Sequence, residues 1–408
     1  MTAHRSLVRR VAPGIAALIL GGCSPSGGMT GNTDQGGASA HAGSSSLGGA
    51  AGNAGFSAGG AGAGGETGGD GGSAAFGSTG GEAPASNLGA LHVESVAPWL
   101  GNATAAYTII HDDACDYTLD SLFTVAEPEL TARGLHAAFG AIVERCQERS
   151  VWSKLEVMVA HGHEIICHSW DHKDFVADAP NLSVEVDQAT NVLAANIPDQ
   201  KLEYFIFPFD SFSQPMIDHL GEIGYVGARA GKKGVNTPEF ADPLRESFDV
   251  YNDENSIYYP QFSDVLKAYV DDAIAKGGWA IREFHGIADM SWEPVPTADY
   301  EAHLDYVKSK VDEGALWVDT PSVVTRYSLS RKNCGLPITL GGAVGFPSPS
   351  AECVAHATPL SVIITTDTDA ATLSATQAGH AVPAKKLGPM RFLVDIDPSA
   401  GGVIINGA

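Results

Sequence analysis

The sequence predicts an α/β fold: a closed barrel of strands and helices, with a small all-β domain after it and a disordered linker before it. Three observations carry this reading. Between residues 96 and 330, runs of strand length alternate with amphipathic runs of helix length. That order builds a mainly parallel sheet, and about seven such units are enough to close it. From 331 to 408 helical periodicity is lost, and short apolar runs are separated by Gly, Pro and Asp. Residues 23–95 are rich in Gly, Ala and Ser, with almost no large apolar side chains.

The elements follow in order. Residues 106–110 read as a strand, 128–133 as a short helix leading to Gly134, and 135–143 as a second strand. A helix over 151–160 uses Leu155, Val157, Met158 and Val159 as its apolar face and stops at Gly162; residues 164–167 form the next strand. Residues 183–197 are an amphipathic helix that buries Val184, Val186, Val192, Leu193 and Ile197. A strand over 204–207 ends at Pro208, followed by a helix over 215–223 and a strand over 225–228. Then come a helix over 263–276, a strand over 279–284, and a helix over 298–313 with Tyr300, Leu304, Val307 and Val311 on one face and Gly314 at its end. Residues 316–318 are the last barrel strand, before a short helix after Pro321. In the β-rich tail, 361–365, 371–376, 391–396 and 403–406 are strand candidates, read as a packing module ahead of a carbohydrate-binding one.

The chain of 408 residues carries a formal net charge of −24, which excludes a nucleic-acid partner held through its phosphates. Residues 1–22 read as an export signal: Arg5, Arg9 and Arg10 precede an apolar stretch over 11–20 that is too short to span a bilayer. Leu20-Gly21-Gly22-Cys23 resembles the lipobox of bacterial lipoproteins, which implies lipidation at Cys23 and anchoring in the cell envelope, at the outer membrane or cell surface given Ser24. The following tract to about residue 90 holds 23 of the 48 glycines and is expected to be a tether.

Six cysteines are present. With Cys23 assigned to lipid, Cys334 and Cys353 bracket a loop at the start of the β region and are expected to bridge in an exported protein. Any two of Cys115, Cys146 and Cys167 could pair.

Chemistry-bearing residues fall at strand ends, where an α/β barrel builds its site. His111-Asp112-Asp113-Ala114 follows the first strand, His168-Ser169-Trp170-Asp171-His172 the strand over 164–167, and His285 the strand over 279–284. Asp113, His168 and His172 make an open set of one carboxylate and two imidazoles, which suits Zn²⁺ and also Co, Ni or Mn. Asp112 cannot easily reach the same ion, because successive side chains diverge, but it can take a proton from water there; His285 can protonate a leaving group. His161 and His163 flank Gly162 at a helix–strand junction and read as surface or packing residues. Together the set describes metal-assisted hydrolysis of an acyl bond.

On these motifs the region 104–327 resembles the polysaccharide deacetylases of carbohydrate esterase family 4, the NodB homology domain, whose fold is a distorted (β/α)₇ barrel. The resemblance implies Asp112 as catalytic base, Asp113, His168 and His172 as metal ligands, and His285 as general acid. Phe205-Ile206-Phe207-Pro208-Phe209-Asp210 is similar to the family's third motif, which implies that the Phe209 N–H holds the oxyanion. Trp170 and Trp292 are candidate walls for the acetyl group or sugar ring. Implied substrates are acetylated polysaccharides (chitin-like, peptidoglycan or xylan), with an N-acetyl amide ahead of an O-acetyl ester, acted on by a monomer. Two departures stand out. Ile206 replaces the motif's Arg and Asp210 its Gly; no clear fourth motif is visible, Asp249 being only a loose candidate for its Asp. Without a cation the base is expected to have a raised pKa. The alternative is therefore a catalytically weak glycan-binding lipoprotein on the same fold.

Overall fold

The computed structural model describes residues 87–239, 242–251, 254–340 and 342–407. The export signal, Cys23 and the linker up to residue 86 lie outside them. The chain first forms strand β1 (Leu91–Val96), then the barrel strands β2 (Ala105–Ala114), β3 (Ala138–Ala141), β4 (Glu164–Cys167), β5 (Tyr204–Ile206), β6 (Gly227–Lys233), β7 (Glu246–Val250) and β8 (Trp279–Phe284), with β9 (Leu316–Val318) after them. Helices α1 (Glu127–Ala132), α2 (Val143–Arg149), α3 (Trp152–Ala160), α4 (Ala189–Asn196), α5 (Gln214–Ile223), α6 (Val265–Lys276), α7 (Thr297–Asp312) and α8 (Pro321–Asn333) connect or follow them.

Strands β2 to β8 pair in parallel in sequence order, and β8 returns to β2, closing a seven-stranded ring. The ring is distorted at β2. Its first residues pair with β9 (Ala105 with Leu316, Tyr107 with Val318), and it reaches β3 only from Ile110. Alternation along each strand sorts side chains into two cores. Tyr107, Ile109, Ile165, Phe205, Ala228 and Phe284 face the helices, while Ala106, Ile110, Ile166, Ile206, Phe248 and Ile281 face the barrel interior.

Helix α8 lies across the N-terminal ends of the strands. Glu164, the first residue of β4, accepts from the Ser322 hydroxyl, and Glu246, the first of β7, accepts from Tyr204 and Thr325. Below it sit two antiparallel sheets made of β10 (Ile338–Leu340), β11 (Ala343–Gly345), β12 (Leu360–Thr366), β13 (Leu373–Gln377), β14 (His380–Ala381), β15 (Ala384–Gly388), β16 (Arg391–Ile396) and β17 (Val403–Gly407), with a short helix α9 (Ala351–Ala355). One sheet has the order β1-β12-β16-β15, the other β10-β11-β17-β13-β14.

Two sequence boundaries need correcting here. The stretch assigned to the linker up to residue 95 contains β1, whose alternation (Leu91 and Val93 inward, His92 and Glu94 outward) lets it pair with β12 over Val96–Val362 to Leu91–Thr366. The barrel does not end at 330, because α8 runs to Asn333. Strand β7 and helix α2 had no counterpart in the sequence reading, and 225–228 moved to Gly227–Lys233. Cys334–Cys353 and Cys115–Cys146 are bonded; Cys167 is a buried free thiol.

Candidate active site

The site is assembled by strand parity. Inward positions on β2, β4, β6 and β8 run out at Asp112, His168, Arg229, Glu283 and His285 at the C-terminal end of the barrel, as the alternation of the interior core residues requires. Asp112 and Asp113 are neighbours in sequence, so a regular strand would send them to opposite faces. A register shift between His111 and Ala114 in the β2–β3 ladder, with Asp113 in the left-handed region at φ 59°, redirects the second carboxylate to the mouth. His111 itself points outward, donating from Nδ1 to the His285 carbonyl at 2.8 Å and accepting from the Tyr300 hydroxyl at 2.9 Å, which ties the ends of β2 and β8 together.

The two motif histidines sit on a loop, with Ser169 and His172 both at φ 65°. Glu185 accepts from the backbone N–H groups of Trp170 and Asp171 at 3.1 Å each, and the His172 N–H is held by Ser169 Oγ at 3.0 Å. His168 Nδ1 donates to the Ile206 carbonyl at 3.0 Å, which leaves Nε2 as the lone-pair nitrogen facing Asp113. Nε2 of His168 and of His172 lie 3.3 and 3.2 Å from Asp113 Oδ1, and the three donor atoms fall within 4.8 Å of one another. Asp113 Oδ1 is buried and meets no hydrogen-bond geometry there. A buried carboxylate oxygen gathered with two imidazole nitrogens, one of fixed tautomer, fits a divalent ion. Burial works against the Asp113 charge, but the two imidazoles hold its carboxyl well below the usual range.

Asp112, the expected base, is held differently from the sequence expectation. Ile206 supplies no cation; its Cδ1 fills the space above Gly140, where an added Cβ would come within 2.7 Å of it. The cation comes instead from Arg229, the residue paired with Ile206 across the β5–β6 ladder. Arg229 binds Asp112 with both nitrogens, Nη1 to Oδ1 at 2.8 Å and Nη2 to Oδ2 at 2.6 Å, and both side chains are buried. Burial pushes the Asp112 carboxyl up, but Arg229 and then His168 outweigh it, so its pKa is lowered rather than raised. Asp210, at φ 52° in the position of the family's Gly, accepts from Arg229 Nη2 at 3.2 Å. Asp249 does not reach Asp112. Its parity turns it to the outer layer, where it is buried against Arg282 at 3.0 Å and Ser256 at 2.7 Å. The carboxylate that does approach is Glu283, 3.2 Å from Arg229 Nη1 and 3.9 Å from His285 Nδ1.

His285 Nε2 lies 3.7 Å from Asp113 Oδ2, across the mouth from His168 and His172, and burial lowers its pKa. Two exposed rings flank the set. Trp292, 54% exposed, stands 5.0 Å from the His285 ring, and Phe209, 65% exposed and at φ 57°, stands 4.7 Å from the His172 ring. Trp170 is not with them; it is half-buried against the core between strands and helices. His161 pairs with Glu127 and His163 with Thr131, away from the ligands.

Residues 109–228 match the family model for polysaccharide deacetylase. The deacetylase match spans β2 to the start of β6 and takes in Asp112, Asp113, His168, His172, Ile206 and Phe209. It stops one residue short of Arg229. No curated protein matches the chain. Among solved structures, the chain is similar to a putative polysaccharide deacetylase from Mycobacterium smegmatis, with 14% identity, 60% of this chain and 96% of that one covered, and a TM-score of 0.43. It is also similar to an acetyl xylan esterase of family 4 from Clostridium thermocellum in complex with cobalt, with 17% identity, 55% and 91% coverage, and a TM-score of 0.37. A third is a mutant of a carbohydrate esterase family 4 pseudoenzyme, with 14% identity, 55% and 68% coverage, and a TM-score of 0.38.

Proposed function

We propose that this barrel is a metal-dependent hydrolase that removes acetyl groups from a carbohydrate polymer, with an N-acetyl amide the first candidate bond and an O-acetyl ester the second. The observation that carries this is the bidentate Arg229–Asp112 pair set beside the Asp113, His168 and His172 donors. A carboxylate kept ionised and aimed next to a metal-ligand set is what a general base needs, and glycan binding alone has no use for it. The match of residues 109–228 to the polysaccharide deacetylases supports the substrate class.

A divalent ion held by Asp113, His168 and His172, with Zn²⁺ the first candidate, would supply Lewis-acid polarisation of the acyl oxygen and of water. The remaining steps belong to the protein. Asp112 takes the proton from the attacking water while Arg229 keeps the carboxylate in place. The new bond joins the water oxygen to the acyl carbon, and the Phe209 N–H donates to the oxygen that gains charge. His285, whose ring nitrogen lies within 4.8 Å of the Asp112 carboxylate, relays that proton to the sugar nitrogen or oxygen as its bond to the acyl carbon breaks, releasing acetate. The weak-binder alternative rested on a base without a cation, and Arg229 removes that basis.

Export and a lipid at Cys23 complete the reading, supported by the order of basic, apolar and Leu20-Gly21-Gly22-Cys23 segments; Cys23→Ser should move the protein from the membrane to the soluble fraction. The test of the activity is acetate release from acetylated chitooligosaccharides, peptidoglycan and acetylxylan. A chelator should stop release and Zn²⁺ restore it, and Asp112→Asn should abolish it with metal content unchanged. Chelator-resistant release, or an unchanged rate in Asp112→Asn, would refute the assignment.

A further inference from the structure

Two adjoining cavities lie at the start of α6, outside the metal site. One, of about 420 Å³, is lined by Tyr251, Lys267, Asp299, His303 and Tyr306; the other, of about 480 Å³, by Tyr258, Phe262 and Asp271. They share Ser263, Asp264 and Lys267 and so form one groove over the first turn of the helix. Each is of the size that holds a small ligand.

The lining has a definite chemistry. Phe262 is 52% exposed, and Lys267 Nζ sits 5.0 Å over the Tyr306 ring. His303 is buried beneath; its Nε2 meets the Tyr107 hydroxyl at 3.0 Å, and its Nδ1 has no hydrogen-bond partner among the described residues. Aromatic faces interleaved with carboxylate, ammonium and hydroxyl groups match a pyranose ring, which offers C–H faces and hydroxyls that both donate and accept. The net charge of −24 disfavours a polyanionic ligand.

Loops that border the metal site lead into the groove. Tyr251 follows the C-terminal end of β7, and its ring lies 5.9 Å from Phe284, the residue before His285. Asn255, on the loop that leads to Phe262, donates to Glu293, next to Trp292, at 2.8 Å. Asp299 and His303 are on α7, which starts where the Trp292 loop ends. We propose that this groove is a secondary glycan-binding site for an uncharged polysaccharide, gripping sugar rings of the same strand whose acetylated residue lies between Phe209 and Trp292. The ligand follows from the function proposed above; the site stands on its own geometry.

The test uses the full chain with Asp112→Asn, titrated calorimetrically with N-acetylchitohexaose, xylohexaose and cellohexaose and with their disaccharides. Phe262→Ala, an exposed change that leaves the core intact, and Asp299→Ala should each weaken binding of a hexasaccharide about tenfold and leave the disaccharide unaffected. Hexasaccharide binding that is equal in all three proteins, or absent from all of them, overturns the groove. Acetate release by the unmodified chain on the same panel separates the two ideas. Release with no dependence on Phe262 keeps the deacetylase and removes the groove. Phe262-dependent binding without release keeps the groove and removes the deacetylase.

Discussion

Arg229→Met removes the guanidinium on which two buried carboxylates and one half-buried carboxylate converge: Asp112 at 2.8 and 2.6 Å, Glu283 at 3.2 Å and the half-buried Asp210 at 3.2 Å. Methionine fills much of the volume, so the loss is electrostatic rather than a cavity. Breaking a buried pair from one side costs about 3–5 kcal/mol. The carboxyls limit that cost by taking up protons, each unit of pKa shift being worth about 1.4 kcal/mol. In the native protein Asp112 has a lowered pKa, so its pairing contributes stability above the ordinary value of 3.8 and loses it only as pH falls through the lowered value. In the variant its folded pKa should rise above the unfolded one, and the deficit should grow with pH. Urea unfolding followed by tryptophan fluorescence should show a deficit of about 3–5 kcal/mol at pH 7 that shrinks towards pH 4. The acid limb of kcat/KM for acetate release should move up by about 1–3 units. Arg229→Lys, which keeps charge but not the paired donors, should fall between. An Arg229→Met protein with the native urea midpoint and the native acid limb would show that Arg229 does not hold the base.

Other outcomes are equally checkable. Burial at the closed end pushes the Glu164 carboxyl up to about 7 from 4.5, so its folded form binds a proton the unfolded chain has lost, and stability should fall by up to roughly 3 kcal/mol between pH 4.5 and 7.5. Glu164→Gln should flatten that slope, leaving the part due to Glu246, whose pKa is raised in the same way; an unchanged slope in urea melts would exclude Glu164 as its source. The Cys115–Cys146 bridge closes a separation of 31 residues just after Asp113, and Cys115→Ser with Cys146→Ser should cost about 3–4 kcal/mol, seen as a lowered melting temperature in non-reducing buffer. No change in melting would mean the bridge adds nothing to the folded state.

The pattern of what could be read in the sequence follows from how each element is buried. Strands β4 and β8 coincide with their predicted spans because the short apolar runs Ile165–Cys167 and Trp279–Ile281 announce a strand buried on both faces. Strand β7 was invisible. Glu-Ser-Phe-Asp-Val carries two carboxylates, and only the fold reveals that Tyr204, Thr325, Ser256 and Arg282 satisfy them. Arg229 was missed for a related reason. Gly-Ala-Arg-Ala-Gly-Lys-Lys looks like a polar loop, and motif order places the cation on β5. The available signal was parity, since Ala228 and Ala230 face the helices and the Arg between them must face inward. Trp170 was misplaced because an aromatic between two expected metal ligands looks like a wall, whereas Glu185 holds that loop with the ring half-buried against the core.

The pairing of β1 with β12 has a consequence for the whole molecule. Asn87 exchanges hydrogen bonds with Gly407, its Nδ2 donating to the Gly407 carbonyl at 2.9 Å and its Oδ1 accepting the Gly407 N–H at 3.0 Å, so the first and last of the described residues meet at one point. That point belongs to the paired sheets under α8, at the opposite end of the barrel from Asp112 and His285. The described residues therefore have one end where residues 87 and 407 meet and another that carries Asp112 and His285. A pull applied at residues 87 and 407 is met by the β1–β12 and β13–β17 ladders and never crosses the strand ends that carry Asp112 and His285, while the mouth between them points away from it.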